Sequence, residues 1–130
     1  MKKIHKIEVR HPRFNDEFLG YKDIERFFFD VLKKKKLSNA YIFNGIKGVG
    51  KTTFAYKLSR CILNNKNDNF ELIDDLHISK DEIIFKKVAN LTHPDLKVVE
   101  PDLETKKINL DKLKILDKFA YNTSFESNIK

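Results

Sequence analysis

The feature that most constrains this chain is the run Gly45-Ile46-Lys47-Gly48-Val49-Gly50-Lys51-Thr52, a complete G-x-x-x-x-G-K-[ST] phosphate-binding loop. Such a loop needs a strand that delivers it and a helix whose N-terminal amides face the phosphate. Both flanks are legible. Ala40-Tyr41-Ile42-Phe43-Asn44 is a short, mostly apolar run of the kind buried on both faces of a parallel sheet. Over about residues 51–63, Phe54, Leu58, Cys61 and Ile62 fall at helical spacing. The glycines leave room for backbone N–H groups to close around a β-phosphate. Lys51 suits the β/γ oxygens, the Thr52 hydroxyl one Mg²⁺ position, and Thr53 an α-phosphate contact. The candidate nucleotide-binding set is therefore Gly45, Ile46, Lys47, Gly48, Val49, Gly50, Lys51, Thr52 and Thr53, with Thr52 also a metal ligand and ATP and Mg²⁺ the cofactors. A glycine-rich turn that binds nothing is the competing reading; the full pattern in its strand-to-helix setting weighs against it.

Binding and hydrolysis are separate claims. Hydrolysis calls for a second acid at the end of a neighbouring apolar strand, to hold Mg²⁺ and polarise water. Leu72-Ile73-Asp74-Asp75 ends in suitable residues, but Glu71 interrupts the apolar run. Leu96-Lys97-Val98-Val99-Glu100 is a better strand, yet Pro101 follows it. Neither is assigned a catalytic role, and the chain by itself is not expected to turn over ATP.

The rest of the chain supplies a setting for the loop. Residues 1–20 form a basic, irregular arm in which His11-Pro12-Arg13 enforces an extended path and Gly20 closes it. From residue 21 to about 36, Ile24, Phe27, Phe28, Val31 and Leu32 make a core-facing helical stripe. Lys33 to Lys36 then lie on its last turn, where cations complement the macrodipole; solvent or a polyanionic partner could face them. Residues 64–75 read as a polar surface excursion. Ser79-Lys80-Asp81-Glu82 has capping-box form and predicts a helix over about 80–89. Residues 96–100 predict a second short strand, and Leu110, Leu113, Leu116 and Ala120 a last helix to about Tyr121.

Composition excludes several classes. The chain has 130 residues, enough for one modest domain. One cysteine, Cys61, rules out an internal disulfide or a thiolate-rich zinc site, and its helical spacing marks it as a buried thiol. His5, His11, His77 and His93 form no metal-ligating pair. No run approaches the ~20 apolar residues of a membrane span, and no signal-like segment opens the chain, so a cytoplasmic protein is expected. The net charge of +7 is compatible with a polyanion, but DNA binding by these lysines alone would be weak and indifferent to sequence. Phenylalanine at helical spacing points to packing rather than to a base-stacking platform.

The ordered set His11-Pro12-Arg13, Leu19-Gly20, Leu37-Ser38-Asn39-Ala40-Tyr41-Ile42-Phe43 and the loop resembles the start of a clamp-loader AAA+ domain. His93-Pro94-Asp95-Leu96 and Ile108-Asn109-Leu110-Asp111 extend the likeness, most closely to the delta-prime subunits of bacterial DNA polymerase III. The resemblance implies a P-loop NTPase of α/β class, a three-layer α/β/α domain with a parallel sheet, of which this chain is the N-terminal portion, ending before the family's acid-bearing Walker B strand. It also implies an ATP-binding subunit that supports loading of the sliding clamp in DNA replication, with other clamp-loader subunits as partners and DNA reached through the assembly. Ile46 replaces a common proline without breaking the motif, and the four-cysteine zinc knuckle of many relatives is absent. A small-molecule P-loop kinase or another P-loop NTPase is the alternative; about forty residues ahead of the loop and the lack of an arginine-rich lid disfavour a kinase.

Overall fold

The computed structural model describes residues 9–64, 70 and 73–126. A 3₁₀ turn at Pro12–Phe14 precedes α1 (Lys22–Lys33), α2 (Lys51–Asn64), α3 (Ile83–Ala89) and α4 (Leu110–Tyr121).

Helix α2 is the centre of the molecule. Phe54, Leu58 and Cys61 face one apolar cluster with Phe28 and Leu32 of α1, Phe70 and Leu76. Tyr56 and Leu63 face a second cluster with Ile78 and with Ile84, Phe85, Val88 and Ala89 of α3. The sequence pattern marked one buried stripe on α2; packing on two sides also covers Tyr56, Arg60 and Leu63. Some phenylalanines pack as core: the Phe28, Phe43 and Phe54 rings meet pairwise with centroids 5.4–5.7 Å apart in tilted or edge contacts, whereas Phe27, expected on the core-facing stripe of α1, is 55 % exposed. Burial pushes the Cys61 thiol up to about 12, which leaves it protonated and inert.

The helices end as their local chemistry directs. At α1, Lys36 N–H donates to Val31 O and Lys35 N–H to Leu32 O, both at 3.0 Å, with Lys35 in the left-handed region at φ 54°. This is the double-bonded Schellman closure, here made without glycine. Helix α3 closes in the same way, through Leu91 at φ 56°. It starts later than the capping box predicts. Glu82 Oε1 accepts from Ser79 N–H at 3.1 Å as the box requires, but residues 80–82 form a turn and the helix begins at Ile83. Helix α4 has its predicted bounds, and the Asn109 side chain caps it by accepting from Lys112 N–H at 3.0 Å.

The expected parallel sheet is not formed. Four α-helices and no strand occur among the described residues, so the three-layer α/β/α architecture inferred for this chain is corrected. The reason lies in the two apolar runs. A strand exists only as part of a hydrogen-bonded ladder, with its neighbour about 4.8 Å away. Residues 40–44 and 96–100 are non-helical, but Phe43 and residues 96–100 line a shared cavity of about 900 Å³ instead of pairing. Nor is the first run buried on both faces: Phe43 packs into the core, whereas Ile42 is 94 % exposed. Apolarity here recorded one-sided packing. No described helix is long and apolar enough to cross a membrane.

Candidate nucleotide-binding site

The loop departs from the extended run at Gly45 and ends where α2 begins. The first ladder bond of α2 is Phe54 N–H to Gly50 O at 2.9 Å. The amides of Lys51, Thr52 and Thr53 therefore precede the helical ladder, at the positive end of the macrodipole. Lys51 folds back across the loop: its Nζ donates to Gly45 O at 2.6 Å and to Ile46 O at 2.8 Å. Ammonium, loop carbonyls and helix amides thus converge.

Two glycines hold conformations closed to most residues, Gly48 at φ 85° and Gly50 at φ 99°. They differ in surroundings. A Cβ on Gly48 would meet nothing within 4 Å, whereas one on Gly50 would lie 2.9 Å from Phe18 Cε2. Gly48 is thus demanded by backbone shape alone, and Gly50 by both shape and a neighbour.

Lys51 borders two cavities. One, about 610 Å³, is lined by Phe18, Tyr21, Ile24, Phe27, Tyr41, Gly45, Ile46 and Val49. The other, about 900 Å³, also takes in Thr52, His11, Tyr56, Glu100 and Lys106. Of the sequence-derived set, the fold brings Gly45, Ile46 and Lys51 into direct contact and sets Thr52 on the larger cavity. Lys47 and Gly48 form the exposed outer bend, Val49 lines the smaller cavity, and Thr53 is half-buried.

Sequence reasoning missed a polar cluster on the larger cavity. His11 Nδ1 accepts from Arg13 N–H at 3.2 Å, which leaves the proton on Nε2 to donate to Glu100 Oε1 at 2.9 Å. The Tyr56 hydroxyl donates to the same oxygen at 3.3 Å. Burial, reinforced by the Glu100 charge, pushes that phenol up to about 12. His11, Tyr56 and Glu100 lie 44 to 89 positions apart in sequence and carry no local signal for such a group. Of the acids weighed for Mg²⁺, Glu100 lines the larger cavity together with Lys51 and Thr52. Asp74 and Asp75 are exposed, Asp75 accepts from His77 N–H at 2.7 Å in a local turn, and Leu72 lies outside the described residues. Among the described residues no group of three or more metal-ligating side chains occurs.

Arg60 fixes the arm that leads to this site. Its guanidinium, 1 % exposed, donates to Asn15 O at 2.6 Å and to Arg13 O, and lies 4.0 Å from the centroid of the Phe85 ring. Desolvation pulls its pKa down to about 10, which still leaves it a cation at neutral pH.

A family model described as DNA polymerase III, delta subunit matches residues 20–130, which include the whole loop. The chain belongs to that family. The clamp-loader likeness read from the sequence is therefore shown, and the match gives no support to a small-molecule kinase. A stretch of 44 residues is 41 % identical to the DNA polymerase III subunit gamma/tau of Mycoplasma genitalium. That stretch is 34 % of this chain and 7 % of the relative, so the chain corresponds to a small part of that protein. No solved structure matches the chain.

Proposed function

We propose that this delta-family chain binds ATP with Mg²⁺ through residues 45–53 and acts in DNA replication as a delta-prime-type subunit of the DNA polymerase III clamp loader. Its partners on this reading are the other clamp-loader subunits, and DNA is met through the assembly. The observation that carries the nucleotide reading is the position of Lys51. Its ammonium rests on the Gly45 and Ile46 carbonyls, beside the free first-turn amides of α2 and at the meeting of two cavities. A triphosphate entering there exchanges two neutral acceptors for charged ones, and charge-assisted hydrogen bonds are roughly twice as strong. Thr52 lines the larger cavity, which supports the reading that its hydroxyl takes a metal position. The smaller cavity, about 610 Å³ and rich in aromatic side chains, has the size and lining of a small-ligand pocket and suits the base. The delta-prime assignment rests on the ordered landmarks from His11 to Asp111; the family match and the gamma/tau relative support the coarser replication role.

Titration of the chain with MgATP, alongside Lys51→Ala, tests the nucleotide reading. Removing the ammonium should weaken binding about tenfold or more, the equivalent of the 1.5–3 kcal/mol of a hydrogen bond to a charged group. Equal affinity for the two proteins overturns the assignment.

A further inference from the structure

We infer that Phe18 is a positioning residue for the phosphate loop, through which the N-terminal arm and the loop are coupled. The inference rests on the nucleotide reading above and adds to it a part played by a residue outside the motif. The arm reaches Phe18 under restraint. Arg60 holds the carbonyls of Arg13 and Asn15, and Asp16 Oδ1 pairs with Lys80 Nζ at 2.9 Å. Two residues on, the Phe18 ring lies against Phe54, centroid to centroid 5.1 Å, and stacks at 6.1 Å with Tyr21. Its edge takes the space that a side chain on Gly50 would need, 2.9 Å from the ideal Cβ position. Gly50 is the residue before Lys51, accepts the first ladder bond of α2 and holds φ 99°. A ring wedged there restricts the one glycine whose dihedrals aim both Lys51 and the first-turn amides. Coupling between two sites is reciprocal, so a nucleotide that fixes the loop also fixes the arm.

The test uses the full chain as Phe18→Leu and Phe18→Tyr, with two readouts. The first needs no nucleotide. In the wild-type chain the ring edge should displace the Gly50 Hα resonance downfield, and Phe18→Leu should abolish this and also shift Gly45 and Lys51, with the α3 resonances unchanged. Phe18→Tyr, which keeps the ring, should retain the wild-type pattern. The second readout is MgATP affinity. If the competent loop conformation falls to about a tenth of the population in Phe18→Leu, apparent affinity falls about tenfold. Phe18→Tyr should stay within about twofold of wild type by the same reasoning. Unchanged Gly45 and Lys51 resonances in a folded Phe18→Leu chain overturn the inference. Should Phe18→Leu fail to fold, Gly50→Ala decides: its methyl must move the ring, and unmoved Phe18 ring resonances overturn the inference equally. A wild-type chain that fails to bind MgATP overturns the nucleotide reading, while the resonance shifts still judge Phe18 on their own.

Discussion

Helices α2 and α4 carry similar apolar spacing in the sequence and are held in different ways. Six residues of α2 are buried, between two clusters. None of α4 is buried; Leu110 is 75 % exposed and Tyr121 91 %. Polar pins hold α4 instead. Near its start, Lys112 Nζ donates to Glu100 O at 3.0 Å and to Asp102 Oδ1 at 2.7 Å. Just past its end, Asp95 Oδ1 accepts from Phe125 N–H at 2.6 Å and Oδ2 from Glu126 N–H at 2.7 Å. Asp95 is itself 2 % exposed, and His93 Nδ1 accepts from its N–H at 3.1 Å. The His93-Pro94-Asp95 landmark is thus a clasp on the segment after α4, a role invisible in its sequence. Periodicity marks a helix and its apolar face; it does not say whether anything covers that face.

The largest effect that sharpens this contrast belongs to α2. Leu58 is 5 % exposed, so Leu58→Ala should cost about 2–5 kcal/mol of unfolding free energy in a urea titration. A cost under about 1 kcal/mol would show that α2 is less tightly packed than its burial implies. Next comes the clasp. Asp95→Asn presents one backbone N–H with a donor in place of an acceptor and should cost about 1–3 kcal/mol, with hydrogen exchange rising first at Phe125 and Glu126. Exchange that rises first in α2 would break the distinction between the two helices.

A smaller effect follows from pH. Desolvation lowers the pKa of buried His93 below its ordinary 6.5, against the opposing pull of Glu126 and Asp95. The unfolded chain then binds more protons than the folded one, so stability rises with pH through this window. It should fall as pH drops through 6.5 and level off below the folded value. His93→Gln should flatten that slope in urea midpoints measured across the window; an unchanged slope assigns it to another group. Asp16 acts lower down. Its hydrogen bond to Lys80 depresses its pKa below 3.8, so its contribution is present above that value and is lost as pH falls further. The smallest effect belongs to α4: Leu110→Ala should change stability by no more than about 0.5 kcal/mol, and a larger loss would mean that its face is covered in solution.

Residues of the loop were legible because they act within a few positions of one another. Lys51 reaches the carbonyls of Gly45 and Ile46, six and five residues back, and α2 begins where the motif places it. Helices α1, α2 and α4 were legible for the same reason, being local and periodic. The two apolar runs misled because a strand is a property of a pair. Nothing within residues 40–44 or 96–100 states which neighbour lies 4.8 Å away. Arg60 was missed since a charged residue on a helix reads as solvated; burial followed only once the arm carbonyls and Phe85 closed over it.

By itself, then, the sequence determined where the glycine-rich loop gives way to α2, the periodicity of the helices and membership of a replication family, because motif spacing and 3.6-residue periodicity are short-range properties of the chain. Only the tertiary structure decided that α2 buries six residues between two clusters while α4 buries none, that Asp95 clasps residues 125 and 126, and that Phe18 crowds Gly50. The last two join residues about 30 positions apart. Such contacts form when the total burial and hydrogen bonding of the fold outweigh the entropy of closing the chain between them, a balance that no local pattern encodes.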